Sequence, residues 1–233
     1  MTQLFSFIDD FLAILFPRTC EICGNSLFKN EYLICTRCFG LLPYTNWHKD
    51  EKNPLHAVFW GKVNLNGVTA MLYFHPKNRV QKLLHKLKYK GVKELGVLMG
   101  KKYGLMLKNA QPYDSIDYII PVPLHPDKFK SRGYNQSEEF AKGLSLSMNI
   151  PQLNDQLFRK IASSTQTKKT KIERWENVKD IFEIKDSSLL EGKHILLVDD
   201  VITTGSTLEA CARVLLEVKG IELSVAAIGA AHR

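Results

Sequence analysis

The sequence predicts an α/β fold, a parallel sheet flanked by helices, with a small four-cysteine module preceding it. Apolar runs of strand length alternate with helix-length segments from Ala57 onward, the pattern that builds parallel sheets. The run His194-Ile195-Leu196-Leu197 feeds Val198-Asp199-Asp200-Val201-Ile202-Thr203-Thr204-Gly205-Ser206-Thr207 and then a helix-forming segment, Leu208 to Glu217, which reads as strand, anion loop and helix. Cys20-x-x-Cys23 and Cys35-x-x-Cys38 carry the spacing of a metal knuckle pair.

The 233 residues suit one full domain plus a small module, and 45% hydrophobic composition is enough for a core. Residues 1–48 are expected to form a helix and a zinc-ribbon-like module, and residues 49–233 the α/β domain. The run from Leu4 to Phe16 is apolar but too short to span a bilayer, carries Asp9 and Asp10, and lacks the basic start of a signal peptide. It predicts an amphipathic helix packed on the protein, with a membrane anchor as the alternative, and a cytoplasmic location. Eleven residues separate the two cysteine pairs, and Gly24 and Asn25 among them allow the tight turn that points sulfurs inward. Two disulfides or four unligated thiols are the alternatives. Reduced cytosolic thiols favour a structural Zn2+ on Cys20, Cys23, Cys35 and Cys38, a closed site without a position for catalytic water.

Along the rest of the chain, Ala57-Val58-Phe59-Trp60 and Val68 to Phe74 are predicted as strands, Val80 to Leu87 and Lys93 to Leu107 as helices, Asp117 to Ile120 as a strand, and Ser137 to Ser147 as a helix. Cys211, in the helix after the anion loop, is most simply a buried apolar residue. A net charge of +8 and a pI near 9.2 suit phosphates or nucleic acid, and equally a solvated basic surface. Lys86-Leu87-Lys88-Tyr89-Lys90 interleaves basic and aromatic residues as a nucleic-acid contact would, against the plainer reading of a helix end with a solvated basic face.

The chemistry concentrates at the end of the strand from His194. Adjacent Asp199 and Asp200 are placed to accept hydrogen bonds from two ribose hydroxyls, while Thr203, Thr204, Ser206 and Thr207 offer hydroxyl donors around a 5-phosphate and Gly205 permits the turn. An ordinary strand-to-helix turn with a solvated Asp-Asp cap is the alternative. The stretch from Val198 to Thr207 resembles the phosphoribosyl pyrophosphate (PRPP) signature of type I phosphoribosyltransferases. Ligands of parallel sheets bind at strand carboxyl ends, so a second site is expected after Ile120. There Pro121-Val122-Pro123-Leu124-His125-Pro126 makes a rigid turn into a basic loop with Lys128, Lys130 and Arg132-Gly133-Tyr134-Asn135-Gln136. His125 beside two prolines reads as a turn residue more than a catalyst.

The cysteine module, these two segments, Thr165-Gln166-Thr167, Arg174-x-x-Asn177 and the PRPP signature occur in the order that resembles the competence protein F (ComF) family, and the resemblance covers nearly all of the chain. It implies a type I phosphoribosyltransferase fold. It also implies that Pro123 and Leu124 lie in the turn that contacts pyrophosphate, with Arg132, Asn135 and Gln136 beside it, and that the segment from Gln166 to Asn177, with Lys168 and Arg174, is a lid. Mg2+ would bridge ribose hydroxyls and diphosphate, and a nitrogen nucleophile would displace the diphosphate. Several purine-specific members of the superfamily carry an acid where this chain has Thr203, so the sequence names no base and no acceptor. The alternative within the resemblance is a non-catalytic PRPP sensor or an adaptor for single-stranded DNA and a competence helicase. No membrane span is predicted, and the oligomeric state stays open.

Overall fold

The computed structural model describes residues 17–160 and 181–231. The expected N-terminal helix and the lid segment, with Lys168 and Arg174, lie outside these residues. The elements in chain order are α1 (Thr36–Gly40), α2 (His56–Phe59), β1 (Gly67–Phe74), α3 (Arg79–Tyr89), α4 (Glu94–Leu107), β2 (Tyr118–Pro121), α5 (Pro126–Arg132), α6 (Gln136–Met148), β3 (Leu157–Arg159), β4 (Phe182–Ile184), β5 (His194–Ile202), α7 (Ser206–Leu215) and β6 (Glu222–Ala231).

Four strands form one parallel sheet in the order β1, β6, β5, β2. Both central strands are buried along nearly their whole length, as parallel strands covered by helices on two faces must be. Strands β3 and β4 make a separate antiparallel pair.

Helix α3 presents Val80, Leu83, Leu84 and Leu87 to the core, the i, i+3, i+4, i+7 stripe of an amphipathic helix. Its first turn is capped by Asn78, whose side chain accepts from the Gln81 N–H at 2.9 Å. The stripe lies across the sheet: a Cβ on Gly229 of β6 would stand 3.5 Å from Val80 Cγ1 and 3.7 Å from Leu84 Cδ1. Helices α4 and α6 touch backbone to backbone through Gly96, Gly100 and Gly104 on one side and Gly143 on the other. A Cβ on Gly100 would meet the Phe140 carbonyl at 2.2 Å, and one on Gly143 the Val97 carbonyl at 2.2 Å.

The expected strand over Ala57–Trp60 is instead the short helix α2. Asn53 explains the difference. Its Oδ1 accepts from the Leu55 N–H at 3.1 Å, and its amide donates to the Val68 carbonyl at 2.8 Å, so the chain turns before it can extend. Residues 43–45 form an antiparallel contact with β1, with Tyr73 N–H donating to the Pro43 carbonyl at 2.8 Å and Thr45 N–H to the Met71 carbonyl at 3.1 Å. Ile22, Ile34 and Leu42 of the cysteine region pack into the same apolar cluster as Leu83, Leu84 and Leu87.

Candidate functional site

Register builds the site. Pro121 of β2 pairs with Val198 of β5, and the Val122 N–H donates to the Val198 carbonyl at 2.9 Å, so the Pro121–Pro126 turn begins beside the Asp199-Asp200 pair. The two strongest sequence motifs therefore meet at the carboxyl end of the sheet, where parallel sheets bind ligands.

After β5 the chain turns through Thr203, Thr204 and Gly205 into α7. Gly205 has φ 74°, and a Cβ there would stand 2.6 Å from Val58 Cγ1, so both conformation and contact with α2 require glycine. No side chain caps α7 beyond a long 3.5 Å contact from the Ser206 N–H to Thr204 Oγ1. The helix N-terminus thus keeps N–H groups for an anion. Asp199, Thr203, Thr204, Gly205, Ser206 and Thr207 line a cavity of about 40 Å³, which suits a small anionic group and not a heterocycle.

The two carboxylates differ in their surroundings. Asp199 Oδ1 accepts from Ser137 Oγ and from the Asp200 N–H, both at 2.8 Å. Burial and then the neighbouring Asp200 push its carboxyl up to about 7, against the relief that Ser137 provides. Asp200 is buried and pairs with Lys88 Nζ of α3 at 2.8 Å.

The basic segment after β2 is the short helix α5, a correction to the expected loop. Its start is fixed by Pro126 and by His125, whose Nδ1 accepts from the Asp127 N–H at 3.2 Å; His125 is a helix cap. Lys128 and Lys130 are exposed, Pro123, Leu124 and Arg132 partly so. The Arg132 guanidinium lies 5.1 Å from the centre of the Tyr89 ring and donates to Gln136 Oε1 at 2.6 Å. Asn135 and Gln136 face inward. Asn135 donates to the Val122 carbonyl at 2.9 Å and caps α6 by accepting from the Ser137 N–H at 3.1 Å. These two polar residues hold the turn and the basic helix in place, whereas the exposed cations of α5 remain available to a ligand.

The four cysteines converge as their spacing predicts. Their sulfurs lie within 4.8 Å of one another, with Cys23 Sγ and Cys35 Sγ 3.8 Å apart, and no disulfide joins them. Thiolates at about 2.3 Å from a tetrahedral zinc stand roughly 3.8 Å apart, so the cluster can hold a metal ion such as zinc. Gly24, at φ 79°, makes the first knuckle. Burial raises the Cys20 thiol, but N–H groups of Cys23, Cys35 and Ile22 together outweigh it and hold Cys20 down to about 7. Burial and the neighbouring sulfurs push Cys38 up to about 12, a crowding of sulfurs that a divalent cation would relieve. Cys211 is fully buried, as an apolar residue would be.

Residues 134–232 match the phosphoribosyl transferase domain family. The chain is 28% identical to the DNA utilization protein YhgH of Shigella flexneri over 205 residues, 84% of this chain and 83% of that protein. It is 32% identical to competence protein ComFC of Bacillus subtilis over 146 residues, 63% of this chain and 57% of that protein. It is 37% identical to competence protein F of Haemophilus influenzae over 108 residues, 46% and 47% of the two chains. The chain is thus similar along much of its length to proteins named for competence and for DNA utilization.

Beside the parallel sheet and the cysteine cluster, two functional residues stand out that the sequence alone does not reveal. Ser137, the first residue after the Asn135-Gln136 pair, orients Asp199. Lys88, expected either as a nucleic-acid contact or on a solvated basic helix face, instead reaches the central carboxylate pair. Its neighbour Lys86 is also engaged, with Glu21 at 2.9 Å. Among the described residues, no helix is long and apolar enough to cross a membrane.

Proposed function

We propose that this protein binds PRPP with Mg2+ at the carboxyl end of β5, as a phosphoribosyltransferase-like component of DNA uptake in natural transformation. One observation carries the reading: the adjacent acids at the end of β5 run directly into an uncapped helix N-terminus around a phosphate-sized cavity. The N–H groups and hydroxyls of residues 203–207 would take the 5-phosphate, and Asp199 and Asp200 the ribose diol. Lys128, Lys130 and Arg132 of α5 would face the diphosphate. Mg2+ suits the all-oxygen donor set of two carboxylates and, when bound, would neutralise part of the diphosphate charge.

Transfer to a nitrogen nucleophile is the extension of this reading. A lone sensing role is its alternative, kept open because Thr203 offers no base. Direct capture of DNA by Lys86 and Lys88 is disfavoured, since both are already paired with acids. Calorimetric titration with PRPP, with and without Mg2+, tests the proposal. Wild type is expected to bind in a Mg2+-dependent way, and Asp199→Asn or Asp200→Asn to lose about 1–3 kcal/mol, the range for a charge-assisted hydrogen bond. Absence of binding, or unchanged affinity in both variants, refutes it. Pyrophosphate release with candidate amines then separates transferase from sensor.

A further inference from the structure

Near its exposed end, helix α3 sends the Lys88 side chain back to the carboxylate pair. Lys88 has a side chain only 20% exposed, its ammonium 2.8 Å from an Asp200 oxygen whose own side chain is 10% exposed. The placement is enforced by neighbours. The Tyr134 hydroxyl donates to the Leu87 carbonyl, Leu87 is fully buried, and Arg132 stacks over Tyr89. The end of α3 is therefore clamped against the segment that carries the basic helix α5.

An ion pair this shielded is a commitment, because a buried charge left without its partner is costly. A sugar diphosphate with its divalent cation needs Asp200, and so must take it from Lys88. The released ammonium would then be an unpaired cation in a poorly hydrated place. A flexible four-carbon stem anchored at Leu87 and Tyr89 can move that charge a few ångströms toward the space between the anion loop and α5, where the incoming anion lies. We propose that Lys88 is an exchange cation: it holds Asp200 in the ligand-free protein and passes to the diphosphate when the metal and the sugar claim the carboxylate. This rests on the PRPP reading above. The exchange leaves every buried charge paired before and after binding, and it makes binding of metal alone unfavourable, so that metal and sugar diphosphate enter together.

The test uses Lys88→Met and Lys88→Gln in the full-length protein. The glutamine keeps a donor for Asp200 and with it the fold, which a thermal melt checks. Manganese, a surrogate for magnesium read by water-proton relaxation without sugar, is expected to bind Lys88→Met about tenfold more tightly than wild type, since its competitor is gone. PRPP with Mg2+, read by calorimetry, is expected to bind both variants about tenfold more weakly. A residue that merely neutralised Asp200 would give the opposite sign for PRPP: tighter binding on its removal. Equal or tighter PRPP binding in the glutamine variant overturns the exchange while leaving the PRPP site intact. A wild type that binds no PRPP removes the reading beneath it, and the exchange with it.

Discussion

Asp199→Asn should make this protein more stable and less able to bind. The carboxyl of Asp199 is raised from 3.8 to about 7 in the folded state, burial being the larger cause and Asp200 the second. Between these values the folded chain holds a proton that the unfolded chain has released, so stability from this group is full below pH 4 and falls until about pH 7. Roughly three units at 1.36 kcal/mol each set a ceiling of about 4 kcal/mol. Asp199 lies at the partly open end of β5, and screening there brings the expected cost to roughly 1–2 kcal/mol. Asparagine is suited to remove it. Both donors to Asp199, from Ser137 and from the Asp200 N–H, converge on the single oxygen Oδ1, which an amide carbonyl can replace.

Thermal melts of wild type and Asp199→Asn at pH 5.5 and pH 8.5 measure this directly. The variant should melt about 3–6 °C higher at pH 8.5, the equivalent of that cost in a chain of this size. The gap should narrow at pH 5.5, where wild type is largely protonated. Comparison at each pH cancels any effect of acid on the cysteine cluster. A variant less stable than wild type at pH 8.5, or a gap that does not change with pH, refutes the reasoning.

The cysteine cluster should contain about one zinc per chain by metal analysis; Cys35→Ser should lose the metal and lower the melting temperature, and a zinc-free wild type would contradict the assignment. Gly143→Ala should destabilise by about 2–3 kcal/mol, because its methyl would stand 2.2 Å from the Val97 carbonyl and force α4 and α6 apart. Lys142→Ala, at an exposed neighbouring position, should be near neutral in the same melt, and equal losses in the two variants would reject the contact.

The site was legible where one short segment encodes strand, turn and ligand chemistry together, as Val198 to Thr207 does. The knuckles were legible for the same reason, since Cys-x-x-Cys fixes both geometry and chemistry locally. What lay beyond reach depends on partners distant in sequence. The pairing of Lys88 with Asp200 cannot be told from a solvated charge run until α3 is laid across the sheet. Strand β6 escaped notice because Ala226, Ala227, Gly229 and Ala230 are not strand-forming types. They are small where β6 lies centrally between β1 and β5 with α3 packed close, a Cβ on Gly229 already standing in ordinary contact with Val80 and Leu84 at 3.5 and 3.7 Å. Ala57–Trp60 has strand composition but is turned by Asn53. Asn135 and Gln136 look like ligand contacts by type, yet both are buried and spent on the loop.

These internal ties explain how an exposed turn can present ligand groups with small tolerance. Ser137 orients Asp199, and Ser137 belongs to the first turn of α6. That helix cannot slide, because Gly143 and Gly100 bring it into backbone contact with α4, a seam that leaves no side chain free to repack. Asn135 then fastens the start of α6 to Val122, one residue past the pairing of Pro121 with Val198. Carboxylate, basic helix and the Pro121–Pro126 turn thus hang from one rigid helix pair. A methyl group at Gly143, remote from any ligand, is therefore expected to disturb Ser137 and the Asp199 it holds as well as the core, since a shift of α6 moves them all.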